Sequence, residues 1–248
     1  MRYSLFALLT PFALFALVGC VADASEPASD AQEIIGGQLA RDYPEAVLVD
    51  SDRGACSGTV IAPRVVLTAG HCVTSATRWT VTAPYAGGQR ARSTKAWTKY
   101  TGAGVINPRA IDVAALTLDS PIELDVYPTI ATEMARPNTK VRNVGRVRNG
   151  VVSNTALFIG REVTLERGVL YGYPNSYVAD QVAENGDSGG PVYEKRPGTR
   201  KIVAVNSGGA NGIEVLGRVD LVASDIARIL REAEPEPRST GQQRNAGP

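Results

Sequence analysis

The stretch Val65-Val66-Leu67-Thr68-Ala69-Gly70-His71-Cys72 runs a β-branched, apolar segment straight into a glycine, the only histidine of the 248-residue chain and a cysteine. It reads as a short strand that stops where a titratable side chain begins. A lone imidazole at a strand end is most often a satisfied structural group, so its meaning depends on what else the chain supplies. Two further segments bear on it. Ile111-Asp112-Val113-Ala114-Ala115-Leu116 sets a carboxylate just before an apolar strand, where an unpartnered charge is costly. Gly186-Asp187-Ser188-Gly189-Gly190-Pro191 sets a hydroxyl among glycines, whose missing side chains let backbone N–H groups approach a ligand. A serine nucleophile needs an imidazole to take its proton, a carboxylate to hold that imidazole and donors for an oxyanion. The three segments contain all of these parts.

Outward from this stretch, short β-branched runs recur at residues 46–49, 65–68, 113–118, 151–152 and 202–205, separated by Gly, Pro, Asn and Asp. With 25 Gly and 15 Pro and no helical periodicity between the runs, the chain reads as all-β, a sandwich or barrel. Periodicity does not choose between one large sandwich and two small barrels. One helix is expected at the end, with Asp220 as N-cap and Leu221, Ile226, Ile229 and Leu230 on its apolar face. No repeat of solenoid or propeller length is visible.

Taken together, Cys56-Ser57-Gly58-Thr59-Val60-Ile61, Ala69-Gly70-His71-Cys72, the Asp112 segment and residues 186–191 resemble the trypsin/chymotrypsin-like serine proteases. The order His, Asp, Ser matches that family, and the likeness extends from residue 34 to about residue 229. It implies two six-stranded antiparallel β-barrels with the site in the cleft between them and a C-terminal α-helix. It implies a serine endopeptidase in which His71 is general base and acid, Asp112 orients it, Ser188 is the nucleophile and the amides of Gly186 and Ser188 form the oxyanion hole. Cys56 and Cys72 match the family's disulfide beside the histidine. Ile34-Ile35-Gly36-Gly37 resembles the family's freed N-terminus, whose ammonium pairs with the residue before the nucleophile, here Asp187. Glu33 departs from the basic residue expected before that cleavage point, so a separate activating protease is implied as a partner.

By the same likeness the primary pocket is set by Val182, by Ser207, Gly208 and Gly209, and by Glu214. Val182 is not an aspartate, so a preference for Lys or Arg does not follow from the family alone. The expectation is a large apolar side chain before the scissile bond, with basic residues next if Glu214 points inward. Glu184 stands where many family members carry a pocket disulfide.

Residues 1–20 read as a signal peptide: Met1 and Arg2 precede an apolar run over residues 5–18, too short for a comfortable membrane span. Leu17-Val18-Gly19-Cys20 has the shape of a bacterial lipobox, which would lipidate Cys20 and tether the protein to the cell envelope. Ala22-Asp23-Ala24 offers an ordinary cleavage site and free secretion instead. Residues 21–33 form a spacer or pro-segment, residues 34–231 the folded domain and residues 232–248 a polar tail. Outside the cytoplasm Cys56 and Cys72 can pair, the alternative being two buried thiols.

With 26 basic and 25 acidic residues, the charge balance argues against nucleic-acid binding, although a local patch at Arg142, Arg146 and Arg148 would escape the total. No cofactor and no catalytic metal are expected, since one histidine is a poor basis for a zinc site. The expected partners are protein or peptide substrates, with a membrane only through lipid at Cys20. Two competing readings are a protease-shaped binding or adhesion protein and an α/β-hydrolase esterase. The esterase would require a Gly-x-Ser-x-Gly elbow and a different order of residues, and neither occurs.

Overall fold

The structure is a computed structural model and describes residues 37–102 and 107–234. The leader, Cys20, the spacer, Ile34 and residues beyond 234 lie outside the described residues.

Two curled, largely antiparallel sheets make up the fold. The first has seven strands in the order Gln89–Ser93, Trp79–Ala83, Ala46–Ser51, Gly54–Ala62, Val65–Thr68, Ala114–Thr117 and Lys95–Thr98. Its two outer strands flank a single residue, Thr94, so one bent stretch supplies both edges and curls the sheet back on itself. Ser93 Oγ donates to the carbonyls of Lys95 (2.9 Å) and Thr117 (2.8 Å) at that bend.

The second sheet has nine strands. Six are longer: Phe158–Thr164, Lys140–Gly145, Pro191–Glu194, Lys201–Ala210, Ile213–Arg218 and Ser176–Asp180. Three are two-residue additions, Gln38–Leu39, Glu166–Arg167 and Thr129–Ile130, the last pairing parallel to Lys201–Ala210. The expected six strands per sheet thus become seven where the bend divides one strand, and nine where short pairings extend an edge. A separate hairpin, Val147–Arg148 with Val151–Val152, lies beside the second sheet's sequence partner Lys140–Gly145.

Burial explains the unbroken apolar runs. On Ala46–Ser51, Val47 and Val49 face the interior of the first sheet, while Ala46 and Leu48 join the core shared with the second. Val66, Ala114 and Leu116 point inward in the same way, and Val65, Leu67 and Ala115 point toward the second sheet. A strand covered on both faces shows no polar alternation. Leu48, Leu67 and Leu116 are fully buried, each worth about 1.5–3 kcal/mol relative to exposure.

The C-terminal helix, Ala223–Ala233, follows a one-turn helix at Asp220–Val222. Val222, Ile226 and Ile229, spaced four and three residues apart, are its buried positions. Two expectations are corrected here. Asp220 does not cap the helix; its carboxylate is taken by the Arg218 guanidinium at 2.6 and 3.1 Å. Leu221 yields its place to Val222, and the helix continues to Ala233, past the expected domain edge at 231.

Candidate active site

Strands Val65–Thr68 and Ala114–Thr117 pair antiparallel, with Thr68 opposite Ala114. The end of one strand therefore adjoins the start of the other, which brings His71, three residues after Thr68, to Asp112, two before Ala114. Asp112 is 3% exposed and grips the histidine twice: Oδ1 accepts from the His71 amide and Oδ2 from Nδ1, both at 2.8 Å. A carboxylate only accepts, so Nδ1 carries the hydrogen and Nε2 is left as the acceptor. The Ser207 hydroxyl donates to the same Oδ2. Ser207 was expected only as pocket wall; it also fixes the carboxylate.

Ser188 lies in the loop that leads into Pro191–Glu194. Its carbonyl accepts from Ser57 N at 2.7 Å and sits 3.8 Å from Cys72 Sγ. That sulfur is also 3.8 Å from His71 Nε2, so loop and imidazole share a neighbour. Among the described residues Ser188 Oγ makes no hydrogen bond. The loop approaches the first sheet so closely that a Cβ on Gly189 would lie 2.1 Å from Thr68 Oγ1 and 2.4 Å from Ser57 O, and its φ of +83° independently requires glycine. Ser57 Oγ donates to the Gly186 carbonyl at 3.1 Å, a support that residue spacing does not reveal. Among the described residues the amides of Gly186 and Ser188 donate to no protein acceptor.

Asp187 is fully buried. Its oxygens accept from Val147 N and Glu184 N, each at 2.8 Å, and no cation pairs with it among the described residues. Burial lifts its carboxyl to about 7, against the lowering effect of those amides. Its expected partner Ile34 lies outside the described residues.

A pocket of about 210 Å³ opens beside Ser188, lined by Gln181, Ala183, Glu184, Asn185, Asn206, Ser207, Gly208 and Gly209. Ser207, Gly208 and Gly209 stand where expected. Val182 and Glu214 do not line it: Val182 is packed in the core, and Glu214 is wholly buried. Glu214 Oε2 accepts from the amides of Val182 and Ala183 at 3.0 Å and Oε1 from Asn143 Nδ2 at 2.8 Å, so the carboxylate closes the floor from behind. Desolvation raises its carboxyl to about 7, opposed by those three donors. Asn143 also donates to Asn206 Oδ1, while its own Oδ1 is buried without a partner among the described residues.

Cys56 and Cys72 form a disulfide, Cα to Cα 6.4 Å, immediately beside the histidine. Cys56, His71 and Cys72 bring ligand-type atoms within 4.8 Å, but the bonded sulfurs leave only the imidazole to offer a metal. Of the three arginines considered as a surface patch, Arg142 and Arg148 are exposed and Arg146 is fully buried. Gln181, Ala183 and Asn185 escaped sequence reasoning. Residues 181–185 form no strand, so no alternation in the sequence gives their directions.

A family profile described as Trypsin matches residues 34–224. Coagulation factor IX of Oryctolagus cuniculus is 28% identical over 223 residues, covering 77% of this chain and 80% of that protein. Among solved structures, a scabies mite inactivated protease paralogue superimposes with a TM-score of 0.65 at 18% identity, covering 79% of this chain and 98% of that one. Human heparin binding protein gives 0.62 at 20% identity, covering 82% and 100%. At such identities these structures bear on the fold alone.

Proposed function

The chain belongs to the trypsin family, and from that premise we propose that it is an exported serine endopeptidase cutting through an acyl-enzyme, with Ser188 as nucleophile, His71 as base and Asp112 as its anchor. One observation carries the reading: Asp112 holds both the amide and Nδ1 of His71, leaving Nε2 free on the side of a serine loop whose Gly186 and Ser188 amides are unspent. In the first half-reaction Nε2 takes the Ser188 proton as Oγ bonds to the substrate carbonyl carbon. The resulting oxyanion meets the Gly186 and Ser188 amides, and the imidazolium returns the proton to the departing amine. Water then repeats the sequence on the ester and releases the acid. Asp112 stays ionised throughout and stabilises the imidazolium.

Activation by cleavage before Ile34 is part of the proposal. A fully buried Asp187 held by backbone amides, its carboxyl lifted to about 7, is a place where an inserted ammonium would be strongly paired. Glu33 leaves the cut to a different protease. Export rests on the leader in residues 1–20 and on the disulfide, with lipidation at Cys20 and free secretion as its two forms. The pocket supports a polar side chain before the scissile bond rather than the large apolar one expected from Val182. Gln181, Glu184, Asn185 and Ser207 line it, and little apolar surface is left.

The test is to express residues 34–248 with a free Ile34 and assay a mixed peptide library beside Ser188→Ala. Cleavage that vanishes in the variant supports the mechanism and reports the pocket preference. A folded protein with a verified Ile34 terminus and no cleavage would favour the protease-shaped binding protein.

A further inference from the structure

Arg146 is a fully buried arginine in a fold whose other large buried side chains are nearly all apolar. Its guanidinium reaches two places at once. Toward the first sheet, Nη1 donates to Asp50 Oδ1 at 2.6 Å and to the Cys56 carbonyl at 3.1 Å. Those acceptors sit on neighbouring strands, where Asp50 faces Ala55. Toward the end of the hairpin, Nε donates to Ser153 O at 2.8 Å and Nη2 to Asn154 Oδ1 at 3.0 Å, and Ser153 N returns a bond to Arg146 O.

The backbone around Arg146 faces the other way, onto the residues around the serine. Val147 N holds Asp187 Oδ1, and the Arg146 amide acts on the same carboxylate in the same direction. Gly145 makes room for it: a Cβ there would lie 2.1 Å from Asp187 Oδ1. Val147 and Val152 flank Gly186, their methyls 3.0 and 3.4 Å from where a Cβ on Gly186 would stand. The contacts thus run without a gap from Asp50 and Cys56, through Arg146, to Val147, Asp187 and Gly186.

We propose that Arg146 is a positioning residue, a buried guanidinium that clamps the hairpin and, through it, the Gly186–Ser188 oxyanion segment to the sheet that carries His71. Its catalytic consequence rests on the protease reading above. A planar fork with donors aimed at four acceptors in different directions suits this task, and a lysine cannot reproduce it. Removing Asp50's charge leaves a buried cation without its ion-pair partner. Donors misplaced by a fraction of an ångström lose effect on the oxyanion while substrate binding in the pocket is spared.

The test uses the processed protein, with Ile34 freed and verified, carrying Asp50→Asn, Arg146→Lys or Arg146→Met and measured for kcat, KM and amide hydrogen exchange. Asp50 is half-exposed and Asn keeps an oxygen that accepts from Nη1, so Asp50→Asn is the mildest of the three changes and serves as the second variant if Arg146→Met does not fold. The expected result is a loss of kcat of about tenfold in Arg146→Lys and severalfold in Asp50→Asn, with KM within about twofold. Exchange at the hydrogen-bonded amides of Val147, Asp187 and Gly189 should quicken by about tenfold while the first sheet's amides are unchanged. Unchanged kcat and unchanged local exchange, with only a lower melting temperature, would overturn the clamp and leave Arg146 a structural residue. If the wild-type chain hydrolyses nothing, exchange alone decides. Faster exchange in the variants then keeps the clamp and removes the protease reading, whereas unchanged exchange removes the clamp.

Discussion

Asp112 and Asp187 are aspartates on either side of the same site, exposed by 3% and 0%, yet their surroundings differ in kind. Asp112 meets a backbone amide, an imidazole N–H and a hydroxyl, and one of these partners can itself become a cation. Asp187 meets only backbone amides among the described residues, and burial lifts its carboxyl to about 7. The two carboxylates are about equally buried and differ in the kind of donor that meets them. The partners of Asp112 lie among the described residues, whereas the partner proposed for Asp187, Ile34, lies outside them.

The largest expected effect is at Asp112. Asp112→Asn would present an amide N–H where Nδ1 needs an acceptor and turn the imidazole to the wrong tautomer, so kcat should fall by about 10⁴-fold. Steady-state assay near neutral pH checks this, and an Asn variant of near-normal rate would mean that Asp112 does not govern His71.

Asp187→Asn is expected to lower kcat by about a hundredfold in the cleaved protein, through loss of order in the oxyanion segment. Its stability effect should change sign with processing. A folded-state carboxyl at about 7, above its ordinary 3.8, contributes stability that is fully present below about pH 4 and lost as pH rises through 7. In the uncleaved chain at pH 8 the neutral Asn should therefore raise the melting temperature. With a free Ile34 ammonium it should lower it, because the buried pair is broken. Equal shifts in both forms would dismiss the pairing.

Ser207→Ala removes one of Asp112's three donors and leaves the other two. A loss of about tenfold in kcat is expected, the lower end of the worth of one hydrogen bond to a charged group. No loss at all would show that the two histidine contacts suffice.

The smallest effect concerns Glu214, which resembles Asp187 in being buried among amides with its carboxyl raised from 4.5 to about 7. Its contribution to stability likewise fades as pH rises from about 5 through 7. Glu214→Gln should be less stable than the wild type near pH 4, because its amide N–H faces a donor, and should flatten the pH profile by up to about 1.4 kcal/mol per unit. Parallel unfolding curves at pH 5 and pH 8 in denaturant would show whether it does.

The all-β class, the C-terminal helix and the three segments around His71, Asp112 and Ser188 were legible because their signals are local: β-branched runs between turn residues, and glycines beside a serine. Val182 and Glu214 were misplaced as pocket lining because a count along the chain locates a residue without giving the direction of its side chain. Register decides that direction, and pairing Ala179 with Glu214 and Glu214 with Gly209 sends the carboxylate behind the floor. The same gap hid the role of Arg146, which the sequence could group only with Arg142 and Arg148 as a local basic patch.

What the sequence determined by itself is which groups are available and in what order, because strand-forming runs, turn glycines and reactive side chains act over a few residues. What only the tertiary structure decided is which groups meet: His71 with Asp112 across one antiparallel pair, Ser57 under Gly186, Arg146 against Asp50. Those contacts join residues 41, 129 and 96 positions apart, and the packing of two sheets against one shared core is what fixes them.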